Sequence, residues 1–150
     1  MNYKTARPID TSACMKLIKK DLSYFPGLTL VEIEKSLRQA IADGTVVTAR
    51  DGDELAGLLI FRRSPAELLF VAVDPEFRKE GVARNLFRFM CSQIPQGQKI
   101  VTLSFRSDDD DYEEHTGFYI SLGFKAGRML ERDGVPVQEY VYLNKTAILK

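Results

Sequence analysis

The chain has 150 residues, of which 45% are hydrophobic and 28% charged, and its formal net charge is zero. This composition is typical of one globular domain, and we expect a single domain over residues 1–150. Because the chain has no excess of positive charge, nothing in its composition predicts binding to nucleic acid or to an anionic membrane.

The sequence has two cysteines, Cys14 and Cys91, and one histidine, His115. Two cysteines do not make a disulfide framework, and a zinc site built from His and Cys needs more ligands. No signal-peptide pattern is present, and no apolar run approaches the ~20 residues that cross a bilayer. We expect a cytoplasmic protein without a metal, with both cysteines in packed positions and His115 at the surface.

The first half of the chain predicts two strands separated by two helices. Residues 3–9 form a strand, and residues 13–21 a short helix capped by Thr11 or Ser12. A second helix begins at Thr29, where Glu32 completes a capping-box pattern, and it ends at Asp43-Gly44. A strand over residues 46–50 follows.

The second half continues with a hairpin around Asp51-Gly52 and a central strand. The remaining elements, in chain order, are strands 55–61 and 67–73, helix 81–94, strand 100–104, helix 116–122, and strands 125–130 and 138–143. The order β-α-α-β-β-β-α-β-α-β-β predicts an α/β fold, with a mixed, mostly antiparallel sheet of about seven strands flanked by about four helices.

The junction between the central strand and its helix has the pattern of an anion site. A helix start presents backbone N–H groups without partners at the positive end of the helix dipole. Gly81 and Ala83 keep side-chain bulk away from that turn, and Arg78 and Lys79 add positive charge, while Glu80 should point outward. Residues of these types are also common at ordinary helix starts, so spacing alone leaves both interpretations open.

Two motifs resemble the GNAT superfamily of N-acetyltransferases. Arg78, Gly81 and Ala83, after an apolar strand and Val-Asp-Pro, are similar to its coenzyme A signature, and residues 118–124 (FYISLGF) resemble its FYxxxGF motif. The predicted element order is also that of the family, so the resemblance extends from about Tyr3 to Leu143.

The resemblance implies acetyl-CoA as cosubstrate, held where the central strand splays from strand 100–104. The pantetheine arm would pair with the backbone of Val71 and Val73, and an N–H near Val71 or Ala72 would polarise the acetyl carbonyl. The pyrophosphate would lie on the amides of the following helix start: Arg78, Lys79, Glu80, Gly81, Val82, Ala83 and Arg84.

Glu67 is the candidate general base. A lysine-like amine has a pKa of about 10.4, so very little of it is neutral at neutral pH and a base is useful. By alternation Glu67 shares a face with Leu69, Val71 and Val73. The strand is similar to that of histone-type acetyltransferases, where the matching Glu is the base. The alternative is a solvent-facing residue at a strand end.

Tyr119 matches the FYxxxGF tyrosine, which in many relatives protonates the departing thiolate. Because a tyrosine pKa exceeds a thiol pKa, full proton transfer is uphill by roughly 2 kcal/mol, which favours a hydrogen bond to sulfur. A core tyrosine is the alternative.

Three further features leave their roles open. The family often has an Asn where this chain has Tyr112, which puts one coenzyme A contact in doubt. The acidic run at 108–111 is either a solvated loop or an attractor for a cationic amine, and residues 24–26 either wall the acceptor site or pack at the core edge.

The sequence therefore predicts transfer of an acetyl group from acetyl-CoA to a primary amine in a ternary complex, by a monomer or homodimer that binds neither nucleic acid nor membrane. Without an activated Cys or Ser near the motif, no covalent enzyme intermediate is expected. The alternatives are a non-catalytic coenzyme A-binding module or sensor, and an enzyme that uses a longer acyl-CoA. The sequence does not indicate which amine is the acceptor.

Overall fold

The computed structural model describes residues 1–20, 28–105, 112–132 and 134–145, with backbone alone at 104–105 and 112–116. These residues form seven strands and four α-helices. In chain order they are β1 Asn2–Thr5, α1 Thr11–Ile18, α2 Leu30–Ala42, β2 Val46–Asp51, β3 Glu54–Arg63, β4 Ala66–Val73, α3 Val82–Ser92, β5 Lys99–Phe105, α4 Tyr112–Leu122, β6 Lys125–Arg132 and β7 Val135–Leu143.

The predicted element order is confirmed, and the main errors lie at element ends. β1 ends at Thr5 rather than at residue 9, because Pro8 begins a short 3₁₀ turn over Pro8–Asp10. That turn makes Asp10, not Thr11 or Ser12, the N-cap of α1. Thr29 caps α2 as predicted, and its hydroxyl accepts a hydrogen bond of 3.1 Å from the Glu32 amide.

All seven strands belong to one sheet with the order β1-β2-β3-β4-β5-β7-β6. Every neighbouring pair is antiparallel except β4 and β5, which are parallel. The mixed, mostly antiparallel sheet expected from the sequence is therefore confirmed, with β4 as its central strand.

A hydrophobic cluster covers each face of the sheet. On one face α3 packs around Leu86, Met90 and Cys91. On the other, α1 and α2 pack around Cys14 and Leu37. Both cysteines are buried, which confirms them as packing residues.

Helix α3 approaches the sheet closely over Gly57 of β3. A Cβ built at Gly57 would lie 3.0 Å from the carbonyl oxygen of Ala72, 3.1 Å from Val82 and 3.2 Å from Leu86. These distances are shorter than ordinary van der Waals contact, so a side chain at Gly57 would require these neighbours to shift by a few tenths of an ångström. Glycine at this position thus sets how closely the helix packs.

None of the helices in the described ranges is long and apolar enough to cross a membrane. The cytoplasmic location stays a prediction.

Candidate active site

The central strand β4 contains a β-bulge at Leu69. Its register with β3 passes from Ile60↔Phe70 to Phe61↔Leu68, so Leu69 has no register partner, and its side chain is exposed. A bulge inserts one residue and reverses the alternation beyond it. The prediction that Glu67 shares a face with Val71 and Val73 is therefore wrong, whereas Leu69, at the bulge itself, lies on the same side of the sheet as Arg62.

Glu67 instead lies on the face covered by α1 and α2. Its register partner on β3 is Arg62, and the neighbouring pair Phe61↔Leu68 packs in the cluster on the opposite face. Since successive side chains alternate, Glu67 and Arg62 point toward α1 and α2. Val71 and Val73 pack against the cluster beneath α3.

β4 and β5 separate beyond Glu67. Within the described residues their parallel pairing has one register pair, Glu67↔Val101. One more contact follows, a 3.0 Å hydrogen bond from Thr102 Oγ1 to the carbonyl oxygen of Leu68. Beyond Leu68, β4 has no further pairing with β5 among the residues described, which agrees with the expected separation of the two strands and leaves a gap between their described parts.

The backbone of β4 presents hydrogen-bonding groups to this gap. The Asp74 amide donates to Ala56 on β3 over 2.8 Å. Because N–H and C=O groups of successive strand residues point to alternate sides, those of Ala72 face β3 and those of Val71 and Val73 face the gap. An extended ligand in the gap would meet one donor and one acceptor from each valine.

The loop after β4 ends in two left-handed residues. Lys79 has φ +67° and Gly81, the N-cap of α3, has φ +78°. The first helical hydrogen bond runs from Asn85 to the Gly81 carbonyl over 3.0 Å. Among the residues described, the amides of Val82, Ala83 and Arg84 have no backbone acceptor, which is the usual state of a helix start. They lie beside Gly81, where a built Cβ would have no atom within 4 Å.

The charged side chains around this turn are held by neighbouring backbone or exposed. Arg78 Nε lies 3.4 Å from the Val73 carbonyl oxygen, and Arg84 Nη2 lies 3.3 Å from that of Ser121 at the end of α4. Lys79 and Glu80 are exposed. The turn therefore carries positive charge beside free amides, which suits a diphosphate.

Glu67 is buried and paired with Arg62. Only 6% of the Glu67 side chain is exposed, against 45% for Arg62, and Arg62 Nη2 donates to Glu67 Oε1. The solvent-facing alternative for Glu67 is therefore wrong. A cross-strand pair at the closed end of the gap fixes where this carboxylate lies.

Tyr119 lies on the opposite face, in the cluster with Phe124 and Tyr140. Burial raises the pKa of its hydroxyl above the ordinary value, although a hydrogen bond with the Thr102 side chain opposes the rise. Thr102 also bonds the Leu68 carbonyl, next to Glu67 in the chain. The two candidate catalytic side chains thus flank the same point of β4 from opposite faces.

Arg62 and Thr102 were not predicted from the sequence, although each contacts a candidate catalytic residue. Counting back from the β3–β4 turn would have paired Arg62 with Glu67, since register in a hairpin follows from its turn. The 108–111 acidic run and residues 24–26 lie outside the described residues. So do the side chains of Tyr112 and His115. In the parts of the chain that are described, no cluster of His, Cys, Asp or Glu suits a metal ion.

Similar proteins were found by sequence and by structure. The acetyltransferase (GNAT) domain profile matches residues 25–143. No curated protein sequence matches the chain significantly.

Solved structures with the same fold are distant in sequence. An acetyltransferase of the GNAT family from Bacillus cereus has a TM-score of 0.73 and 20% identity, covering 99% of this chain and 98% of its own. The ribosomal-protein-S18-alanine N-acetyltransferase from Escherichia coli has a TM-score of 0.72 and 16% sequence identity, covering 97% of this chain and 95% of its own.

A GNAT-like decarboxylase in complex with isobutyryl-CoA has a TM-score of 0.73 and 16% identity, covering 97% of this chain and 100% of its own. These structures share the sheet and helix arrangement described above, and the domain profile covers most of the sequence, including both strands that border the gap. The chain belongs to the GNAT acetyltransferase family.

Proposed function

We propose that this single-domain protein transfers an acetyl group from acetyl-CoA to a primary amine in a ternary complex. The observation that carries the proposal is the open edge of β4, where the backbone of Val71 and Val73 leads directly to the free amides of Val82, Ala83 and Arg84. An extended, hydrogen-bonding chain that ends in a diphosphate fits both parts, and coenzyme A has that form.

In this proposal the backbone of β4 binds and polarises the thioester. Val71 and Val73 pair with the pantetheine arm as an added strand would. Of the two amides considered for the acetyl carbonyl, the alternation favours Val71, because the Ala72 N–H faces β3. A fixed N–H beside the carbonyl oxygen stabilises the negative charge that develops there.

Glu67 and Tyr119 divide the proton chemistry between the two faces. The amine approaches from the α1/α2 face and attacks the thioester carbon. The C–S bond breaks as the amide forms, coenzyme A leaves as the thiolate, and the nitrogen gives a proton to Glu67 directly or through water. Tyr119 lies on the thiol side. Its raised pKa makes full proton transfer to the thiolate still less favourable, so its proposed role is a hydrogen bond to sulfur.

The acyl donor and the reaction class are open to a direct test. The GNAT-like decarboxylase binds isobutyryl-CoA and the Escherichia coli protein is a ribosomal-protein-S18-alanine N-acetyltransferase, so the fold accommodates another acyl-CoA and another reaction. The experiment follows free thiol after mixing the protein with acetyl-CoA or isobutyryl-CoA and a panel of amines. Amine-dependent thiol release with acetyl-CoA, identified by mass of the acetylated amine, supports the proposal.

The same experiment has two outcomes that contradict the proposal. Acetyl-CoA binding by calorimetry without thiol release across the panel would favour a coenzyme A sensor. Preference for isobutyryl-CoA would keep the transferase but change the donor.

A pair of variants separates a base from a structural ion pair. Glu67→Gln should lower kcat by about 100-fold, the usual loss for a general base, and leave the KM for acetyl-CoA unchanged. Arg62→Gln breaks the same ion pair but keeps the carboxylate, so it should cost less than about tenfold. Equal losses in both variants would mean that the pair, and not proton transfer, is what matters.

A further inference from the structure

We infer that the acceptor amine carries an uncharged apolar group, which binds in a cavity between α2 and the sheet. This inference rests on the proposed function, and it names the substrate class of the same site. The cavity lies on the Glu67 face and occupies about 590 Å³. Cavities of about 300–1,000 Å³ are typical of small-molecule sites.

The lining of this cavity is mainly aliphatic and aromatic. Its walls come from α1 and α2 on one side and from β3 and β4 on the other, and include Ile18, Ile33, Leu37, Ile60 and Phe70. Contact with such walls stabilises a ligand in proportion to the apolar surface that it removes from water.

Most polar side chains that line the cavity already have hydrogen-bond partners within the protein. Arg63 donates to the carbonyl oxygens of Asp43 and Gly44 and to Gln93 Oε1. Gln39 donates to Asp43 Oδ1, and Thr45 Oγ1 donates to the Ala40 carbonyl. A polar ligand group would have to break these bonds to bind there, whereas an apolar group would not.

One end of the cavity reaches the proposed reaction centre. Leu69, the bulged residue of β4, and Arg62, the partner of Glu67, both line it. An amine beside Glu67 therefore has its substituent directed along α2. This continuity distinguishes the cavity from an unrelated packing defect and commits it to the acceptor.

A homologous series of amines tests the inference. Unbranched primary amines from ethylamine to hexylamine have nearly the same pKa and differ only in apolar length. The kcat/KM for acetylation should rise about fourfold per added methylene, the factor that corresponds to burying one CH₂, until the cavity is full. An amine of the same length with a terminal hydroxyl should lose that gain.

Two matched variants locate the effect in this cavity. Ala40 is a half-buried lining residue of α2, and Ala40→Leu fills part of the space without disturbing the helix, since both residues favour helix. Ala42→Leu makes the same change at an exposed position of α2 outside the cavity lining. Ala40→Leu should end the rise after the shortest amines, while Ala42→Leu should leave it intact.

The outcomes separate this inference from the proposed function. Amine acetylation with no dependence on chain length, or an equal effect of both variants, would overturn the apolar cavity and leave the transferase in place. No acetylation of any amine by the wild-type protein would overturn the function itself. A thermal unfolding curve for each variant shows whether Ala40→Leu is folded, and if it is not, Ala40→Val is the smaller substitute.

Discussion

Thr102 on β5 donates its hydroxyl proton to the carbonyl oxygen of Leu68 on β4 over 3.0 Å. The Thr102 side chain also acts on Tyr119, where it opposes the rise that burial causes in the pKa of the tyrosine. Thr102 therefore ties β5 to β4 at the closed end of the gap, next to both candidate catalytic residues.

Removing the Thr102 hydroxyl should weaken this junction. Thr102→Val keeps the shape but leaves the buried Leu68 carbonyl without this donor, which costs about 1–3 kcal/mol. Urea unfolding measures the loss, and Thr102→Ser, which keeps the hydroxyl, should recover most of it. If Thr102→Ser and Thr102→Val are equally destabilised, the methyl group of Thr102 and not its hydrogen bond to Leu68 stabilises this junction.

The alkaline stability of the protein should depend on Tyr119. Burial raises the pKa of Tyr119 above its ordinary value of 10.0. As pH rises, the unfolded chain therefore releases the Tyr119 proton before the folded protein does. The contribution of the protonated hydroxyl to the free energy of unfolding is complete below pH 10 and is lost above it, by up to about 1.4 kcal/mol per pH unit. The stability difference between wild type and Tyr119→Phe should therefore shrink from pH 9 to pH 11. A constant difference would mean that the hydroxyl is not desolvated.

A glycine pair tests the proposed diphosphate site. Gly81 and Gly52 both have positive φ, +78° and +59°, and nothing within 4 Å of a built Cβ. Changing either to Ala places a side chain in the left-handed region at a cost of about 1–2 kcal/mol. Gly81→Ala should also lower acetyl-CoA affinity by about tenfold, measured by calorimetry, because it adds bulk beside the free amides. Gly52→Ala, in the β2–β3 turn, should not. Equal affinities would place the diphosphate elsewhere.

Asp10 should contribute to stability against acid. Burial favours a higher pKa, but hydrogen bonds from the Arg7 amide and Arg50 outweigh it, so the pKa of Asp10 is lowered. The contribution is present above the ordinary pKa of 3.8 and is lost as pH falls through the lower folded value. Asp10→Asn should cost about 2 kcal/mol at pH 7 and flatten the loss below pH 4 in urea titrations. Glu34→Gln, in an exposed pair with Arg38, should cost under about 0.5 kcal/mol.

The cysteines should not interfere with a thiol assay. Burial raises the pKa of Cys14 to about 12, so about one molecule in ten thousand is the thiolate at pH 8. Cys91 is 1% exposed. Neither should react with a thiol reagent within minutes unless urea is added. Rapid labelling of the native protein would show that its core opens readily.

The fold was predictable where the signals are local. Asp51-Gly52 indicates its hairpin through turn chemistry alone, and Thr29 with Glu32 marks the start of α2 through one local hydrogen bond. The cap of α1 was predicted wrongly because the short 3₁₀ turn that begins at Pro8 ends at Asp10, which takes the N-cap position. Arg50, forty positions along the chain, also holds Asp10, and the local pattern at Thr11 and Ser12 does not indicate that contact.

The site was predictable only in part for the same reason. The strand end and the helix start that the motif predicts are present as β4 and the beginning of α3, while the binding of coenzyme A by their residues stays a prediction. The face of the sheet on which Glu67 lies was not predicted correctly, because the bulge at Leu69 depends on how β3 pairs with β4. Counting alternate residues along the sequence does not reveal an inserted residue. The one unpaired leucine therefore places Glu67, the proposed base, on the face opposite to that of Val71 and Val73.

Gly57, which has no side chain, lies between the two halves of the proposed cofactor site. One half is the edge of β4 and the other is the first turn of α3, and Gly57 lies against both, at the Ala72 carbonyl and at Val82. In the proposed complex the pantetheine arm would be extended along β4, so its length limits how far the diphosphate site can lie from the thioester. By leaving room for α3 to pack closely on the sheet, the glycine on β3 would keep the proposed diphosphate site within that limit.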